Sequence, residues 1–314
     1  MVASISGIFG GLALGVGVAC ATAAVLAQSG RVSPLLDVLA HLAPAYAVGG
    51  VLALAAARWL EPRRRWTAGV AGLVAVAGGL ALVAPAARAP PSSPAGPGPR
   101  LKVIQLNALR SNADIGRVAD WLIAEQPDVV TINEARHDLR DLLLKRTGWA
   151  TSGAHGNLII FTPERRLRMD RPKLPGADLT FVNATYPGPA GPMEVVSAHL
   201  DWPTRPVFAG QQRDLVRVIN RLPQERMILT GDFNAAPWSF SIRRLERQIR
   251  VTRRDGAIPT YPARIGPWRW PLPFLPIDHV YAGPGWATVE VRRGPYVGSD
   301  HYPVVVTLAP VSPH

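Results

Sequence analysis

The sequence predicts a chain in two parts: a helical, membrane-spanning segment over residues 1–87 and an α/β domain over residues 101–314. Three observations predict it. Three long apolar runs fill the first part, a Pro/Gly/Ser stretch divides the chain, and beyond it short apolar strands alternate with amphipathic helices.

The apolar runs cover roughly residues 5–27, 35–60 and 66–87. Each is about 20 residues or longer, the length of helix that crosses a bilayer core. Gly is frequent inside them, as membrane helices tolerate, and no polar stripe interrupts them. Residues 1–10 contain no Lys or Arg, which argues against a cleaved signal peptide. Arg58, Arg63, Arg64 and Arg65 lie between the second and third runs, whereas the loop between the first two offers only Arg31 against Asp37. Basic loops stay on the cytoplasmic side, so three spans leave everything after residue 88 outside the cytoplasmic membrane. Genomic DNA and cytosolic nucleotides are out of reach there. Residues 88–100, RAPPSSPAGPGPR, read as a semi-extended linker.

From residue 101, LKVIQLN is a strand ending at Asn107, and Asn112 is placed to cap a helix carrying Ile115, Val118, Ala119, Leu122 and Ile123. DVVTIN is a strand that delivers Glu134, and Leu139, Leu142 and Leu143 mark a second helix. Strands follow at 157–161 and 193–198, the latter ending at His199. A helix over 208–221 precedes the strand of RMILTGDFNAAP, in which Asp232 and Asn234 sit two apart just past its end. Ser239 heads a basic helix with Ile242, Leu245 and Ile249 on one face. The last strands are 277–281, bearing Asp278 and His279, and 302–308, preceded by Asp300 and His301. His279, next to Asp278 on a strand, should face the other way. His155 reads as a turn residue, and Asn157 is a weaker site candidate.

The net charge is +12, almost all from Arg, which favours anionic partners without choosing among nucleic acid, headgroups and phosphorylated metabolites. Cys20 is the single cysteine, so an intrachain disulfide is excluded.

Asn107, Glu134, His199, Asp232, Asn234, Asp278, Asp300 and His301 all lie at strand ends. Singly, each reads as a turn residue; together they read as a site. QLN (105–107), PDVVTINEA (127–135), SAHL (197–200), TGDFNAAP (230–237), PIDHVY (276–281) and GSDHYPV (298–304) resemble, in order and spacing, the endonuclease/exonuclease/phosphatase superfamily. The resemblance covers about residues 101–310 and implies a four-layer α/β sandwich, two mixed β-sheets flanked by helices, with its site at one end. It also implies roles. Glu134 would be the main ligand of Mg²⁺, with Mn²⁺ as the alternative, helped by Asn107 and Asp300. Asp232 would position or deprotonate the attacking water, and Asn234 would hold that water or a phosphate oxygen. His301 would meet the phosphate as an imidazolium fixed by Asp278, and His199 would be a second phosphate donor. Abasic-site nucleases of this superfamily carry an acid two residues after the first Asn. Here Leu109 stands there, which implies a one-ion site.

Residues 265–276, IGPWRWPLPFLP, are too broken by Pro for a helix or central strand. They read either as a loop packed on the sandwich or as an apolar lip for a membrane interface or an acyl or prenyl chain. Trp268, Trp270, Leu272, Phe274 and Leu275 supply the apolar groups, with Arg264 and Arg269 beside them. The expectation is a membrane-anchored, metal-dependent phosphoester hydrolase acting on an anionic, lipid-linked phosphate or pyrophosphate. Its partners would be that substrate and the bilayer, with no obligate protein partner. The alternative is an extracytoplasmic nuclease degrading DNA or RNA, and a silent binding module is the third reading. Membrane-anchored bacterial relatives with three spans look similar and favour a polyprenyl pyrophosphate or phospholipid.

Overall fold

The computed structural model describes residues 2–87, 94–154, 156–161, 179–188 and 191–312. His155 and linker residues 88–93 lie outside these, as does the side chain of Asn157. Two compact units emerge: Met1–Arg88 with Ala235–Arg244, and Ala89–Asn234 with Leu245–His314.

The first unit contains α1 (Val2–Ala27), α2 (Pro34–Asp37), α3 (Ala43–Ala56) and α4 (Pro62–Ala87). Three stretches, Phe9–Arg31, Pro34–Trp59 and Pro62–Ala86, are long and apolar enough to cross a membrane, which is compatible with membrane anchoring. The second stretch is not one continuous α-helix. A 3₁₀ segment, Val38–Leu42, separates α2 from α3, because Pro44 lacks the N–H that a helix running through it would need. Small residues let the backbones close in: a Cβ at Gly50 would lie 2.6 Å from the Gly72 carbonyl oxygen. This is how helices pack where lipid removes the hydrophobic drive between them.

The second unit is built on two mixed sheets. Its strands and helices, in order, are β1 (Leu101–Asn107), α5 (Ile115–Glu125), β2 (Val129–Ala135), α6 (His137–Thr147), β3 (Ala150–Ala154), β4 (Gly156–Phe161), β5 (Thr180–Gly188), β6 (Gly191–His199), α7 (Phe208–Arg221) and β7 (Ile228–Asp232). Then come α8 (Phe240–Glu246, shared with the first unit), β8 (Thr252–Arg253), β9 (Arg264–Ile265), β10 (Trp268–Arg269), β11 (Asp278–Ala282), β12 (Trp286–Arg293) and β13 (Val304–Pro310). One sheet runs β12-β13-β1-β2-β4-β3 and the other β5-β6-β7-β11-β8. The pairs β1–β2 and β6–β7 are parallel.

Helix α5 starts two residues later than its sequence suggested. Asp114, not Asn112, caps it by accepting from the Arg117 amide; Asn112 instead accepts from the Asp114 N–H and donates to the Val297 carbonyl. Residues 94–96 of the linker are also not free. Ala95 bridges Val311, and the Gly96 N–H donates to the Pro310 carbonyl.

A period of two along each strand positions the site. Between the sheets lie Leu101 and Val103 of β1, Val129 of β2, Val195 of β6, Ile228 of β7, Val280 of β11 and Val304 and Val306 of β13. Moving along the same faces toward one end, the inward positions become Gln105 and Asn107, Thr131 and Asn133, Ser197 and His199, Thr230 and Asp232, and Asp278. The inter-sheet layer is thus apolar at one end and hydrogen-bonded at the other: Thr131 Oγ1 donates to Gln105 Oε1 at 2.7 Å, and Thr230 Oγ1 to Thr131 Oγ1 at 2.8 Å.

Gly231 lets β7 lie against β6 at this end. Its φ is +152°, and a Cβ there would sit 1.9 Å from the Ala198 carbonyl oxygen. Gly231→Ala is therefore expected to cost at least about 3 kcal/mol, seen as a lower denaturant midpoint and a lower yield of folded chain.

Candidate active site

Register brings three functional side chains into one row. His199 of β6 and Asp278 of β11 are both Cα partners of Asp232 at the end of β7. On the other sheet, Asn107 of β1 is the partner of Asn133 of β2. Asn133 joins the two sheets: its Oδ1 accepts from Gln105 Nε2 and from the backbone N–H of Asp232, at 2.7 and 2.8 Å.

Glu134 reaches the site through a distortion of β2. The register slips between Asn133 and Ala135, and Glu134 adopts φ +53°, a conformation uncommon outside glycine that costs on the order of 1–3 kcal/mol. The bulge turns its carboxylate toward Asn107. Asn107 Nδ2 donates to Glu134 Oε1 at 3.1 Å and to Asp232 Oδ2 at 3.0 Å, so this buried amide bridges two acids from different sheets. The Arg110 N–H holds Glu134 Oε2 at 3.1 Å. Burial alone would raise the Glu134 pKa, but these donors and the nearby His199 and His301 bring it below the ordinary value. Glu134 stays a carboxylate.

Asp232 is the centre. It is buried, and its Oδ2 faces both His199 Nε2 at 3.8 Å and His301 Nε2 at 3.7 Å. Burial raises its pKa, and the negative Asp278 adds to that, opposed by the two imidazoles and Asn107. Asp278 Oδ2 in turn takes His301 Nδ1 at 2.7 Å and Thr260 Oγ1 at 2.6 Å. Burial would lower the His301 pKa, but Asp278, then Asp232, raise it to about 10. His301 is an imidazolium fixed at one nitrogen, with Nε2 left to face Asp232.

The turn before β13 is tied to β1. Ser299 Oγ donates to the Asn107 carbonyl at 2.6 Å and accepts from the His301 N–H. Asn234, at φ +48°, does not simply share a face with Asp232. The left-handed turn sends its Nδ2 to the Leu200 carbonyl at 2.8 Å, while its N–H donates to Asp232 Oδ1 at 2.9 Å; it orients the acid. Asp300 lies near enough for its charge to raise His301. No hydrogen bond among the described residues joins it to Glu134 or Asn107. His279 faces the opposite side, as its parity requires, with Nδ1 3.0 Å from Asp255 Oδ2. Asp201 pairs with Gln211. Asn133 and Thr260 escaped the sequence reading; a polar residue at an inward position of an apolar strand was the available signal for Asn133.

The residues fit a divalent cation. Asp232 and Asp278 stand with His301 in a group whose ligand atoms all lie within 4.8 Å of one another; the imidazolium of His301 is no ligand itself, but the two acids are, and Asp278 Oδ1 is buried with no hydrogen-bond partner among the described residues. Glu134 adds a hard, ionised oxygen donor. As oriented, Asn107 turns its amide nitrogen rather than its oxygen toward Glu134.

Residues 264–275 adjoin this end. β9 and β10 form a small hairpin outside both sheets. The Ala263 N–H donates to the Asp300 carbonyl, the Trp270 N–H to the Ala263 carbonyl, and Tyr302 Oη to the Trp270 carbonyl. Trp268 and Leu272 are 76% and 70% exposed, with Trp270 and Phe274 also exposed in part, whereas Leu275 is buried.

Comparisons with known proteins agree with this architecture. The endonuclease/exonuclease/phosphatase family profile matches residues 103–301. Among solved structures, a humanized TDP2 of D. rerio is similar at 15% identity and a TM-score of 0.53, over 67% of this chain and 98% of that one. The mannosyl-6-phosphatase of Bacteroides thetaiotaomicron is similar at 14% identity and a TM-score of 0.52, over 67% and 99%. The human Nocturnin catalytic domain with a bound sulfate anion is similar at 17% identity and a TM-score of 0.53, over 68% and 95%. These likenesses speak to the fold. No curated protein sequence matches the chain. The chain belongs to the endonuclease/exonuclease/phosphatase family, whose hydrolases act on phosphoester bonds.

Proposed function

We propose that the chain is a membrane-anchored hydrolase of a lipid-linked phosphate or pyrophosphate, dependent on Mg²⁺ or, in its place, Mn²⁺. The observation that carries this reading is the exposed aromatic hairpin bonded to the backbone of Asp300, in a chain that also has three membrane-length apolar helices. Trp and Leu at that position suit an acyl or prenyl chain emerging from the interface, with Arg264 and Arg269 for its anionic head. Three spans with Arg58, Arg63, Arg64 and Arg65 on the cytoplasmic side put the site outside the cytoplasmic membrane.

The residues divide the work. The protonated His301 offers its Nε2–H to a non-bridging phosphate oxygen, and His199 stands beside it as a second phosphate donor. Asp232, between them, takes a proton from the attacking water as the P–O bond to the leaving group breaks. Asn107 and Asn234 hold that carboxylate in place. A divalent ion held by Glu134, with the neighbouring acids, would neutralise phosphate charge and stabilise the leaving oxygen.

Purified full-length chain is expected to release phosphate from undecaprenyl pyrophosphate or a phospholipid with Mg²⁺, and to stop in chelator. Trp268→Ala should raise KM for the lipid several-fold and leave a water-soluble phosphodiester unaffected. Robust plasmid nicking that Asp232→Ala abolishes, with no lipid turnover, would replace this reading by the nuclease. The +12 charge favours that second reading.

A further inference from the structure

We infer that Tyr261 is a further substrate-binding residue, its hydroxyl donating a hydrogen bond to a non-bridging oxygen of the phosphoryl group that His301 meets. Tyr261, Trp202 and His301 all belong to the α/β unit. The Tyr261 ring packs on the His301 ring, with centroids 4.9 Å apart and planes tilted by 50°. A cation within about 6 Å of an aromatic ring is attracted to it, and Asp278 keeps His301 a cation. Trp202, three residues past His199, also meets the Tyr261 ring, edge-on at 5.9 Å. Two neighbours therefore fix the ring beside the imidazolium.

The backbone is fixed as firmly. The Tyr261 N–H donates to the Leu275 carbonyl at 3.0 Å, and the Tyr261 carbonyl accepts from the Phe274 and Leu275 N–H groups at 3.0 and 2.8 Å. Thr260, just before it, donates its hydroxyl to Asp278 Oδ2 at 2.6 Å and accepts the Tyr302 N–H on its carbonyl at 2.9 Å. Just after it, the Ala263 N–H donates to the Asp300 carbonyl at 2.6 Å. The segment is laced both to the acid that orients His301 and to the turn that presents it.

The hydroxyl itself is spare. Among the described residues none takes part in a hydrogen bond with it, and the side chain is half-buried. Burial raises its pKa, and the charges of Asp300 and Asp232 raise it further. It is thus a phenol that keeps its proton, close to the catalytic acid. A rigid donor beside an imidazolium suits an anionic oxygen, since a hydrogen bond to a charged acceptor is the stronger kind. His301 Nε2 serves one non-bridging oxygen and leaves at least one more to be met. This role deepens the proposed hydrolase, and it rests on that reading only in taking a phosphoryl group as the ligand.

The test uses the full chain in detergent with Mg²⁺, and Tyr261→Phe, which keeps the ring on His301 and removes only the hydroxyl. Calorimetry gives the dissociation constant of inorganic phosphate, and initial rates give kcat/KM for bis(p-nitrophenyl) phosphate. Phosphate is expected to bind about tenfold or more weakly, and kcat/KM to fall by a similar factor, with the unfolding midpoint unchanged. A merely structural tyrosine would lower the midpoint and leave phosphate affinity alone. Phosphate affinity equal to the parent's overturns the inference, and so does a lowered midpoint that accompanies both losses. Should the parent bind phosphate but cleave no phosphoester, the hydrolase reading fails, and phosphate affinity alone still decides the role of Tyr261. A parent that binds no phosphate overturns both.

Discussion

Asp232→Asn is expected to lower kcat by about 10²–10⁴-fold with KM and the unfolding midpoint close to those of the parent. The amide keeps the shape of the carboxylate and one oxygen for the Asn234 N–H, so the turn survives. What disappears is the proton acceptor, a buried acid whose pKa burial has raised. A raised pKa suits a base that must hold a proton near neutral pH. Negative charge between two imidazoles is lost as well, which is why the effect should exceed that of any single donor around it. Initial-rate kinetics on a soluble phosphodiester measure it, and a loss smaller than tenfold would remove Asp232 from the role of proton acceptor.

His301→Gln should have two separable effects. In catalysis it removes one cationic donor, about 10²–10³-fold in kcat. In stability it leaves Asp278 buried beside Thr260 with its charge uncompensated, a change that costs about 3–5 kcal/mol. The pH dependence follows from the sign of the shift. The His301 pKa in the folded chain, about 10, lies above the ordinary 6.5, so its pairing energy is full below about pH 6.5 and is lost as pH rises through about 10. Denaturant unfolding in chelator should therefore show parent and variant far apart at pH 6 and converging above pH 10. Asp278→Asn is the companion variant, and it should lose less stability, because it leaves no unpaired anion. A constant difference across that range would mean that His301 is not held as a cation by Asp278.

The central strands were legible in the sequence and the edge strands were not. β1, β2, β6, β7, β11 and β13 each lie between two neighbours and carry the apolar runs such burial demands. β3, β5 and β12 are edges with one hydrogen-bonded neighbour each. Their composition is weaker, as in TVEVRR (288–293) of β12, and no periodic signal announces them. The site was legible for the same reason as the central strands, since its residues terminate them. Glu134 and Asn234 show the limit of that logic. Both adopt positive φ, and a bulge or left-handed turn redirects a side chain in a way that alternation along a strand cannot foresee. Asn107 was expected to offer oxygen to a cation, whereas its amide N–H groups bridge two acids. Nor does composition hint that Ala235–Arg244, between two stretches of the α/β unit, belongs with the helices. Its Phe240 and Ser241 amides meet Asp37, a single acid about two hundred positions earlier in the chain, and Ala236 and Trp238 pack among the apolar side chains of the helices.

The gradient from Val103 to Asn107, and from Ile228 to Asp232, means that the greasy middle of the sandwich and its reactive rim are counted off along the same strands. A substitution in the middle changes only local volume. A single inserted or deleted residue there would rotate the rest of its strand by half a turn. In β7 such a slip would exchange Asp232 with Gly231 or Phe233. Descendants of this chain are therefore free to vary the size of their interior side chains, but between core and rim they must keep the number of residues.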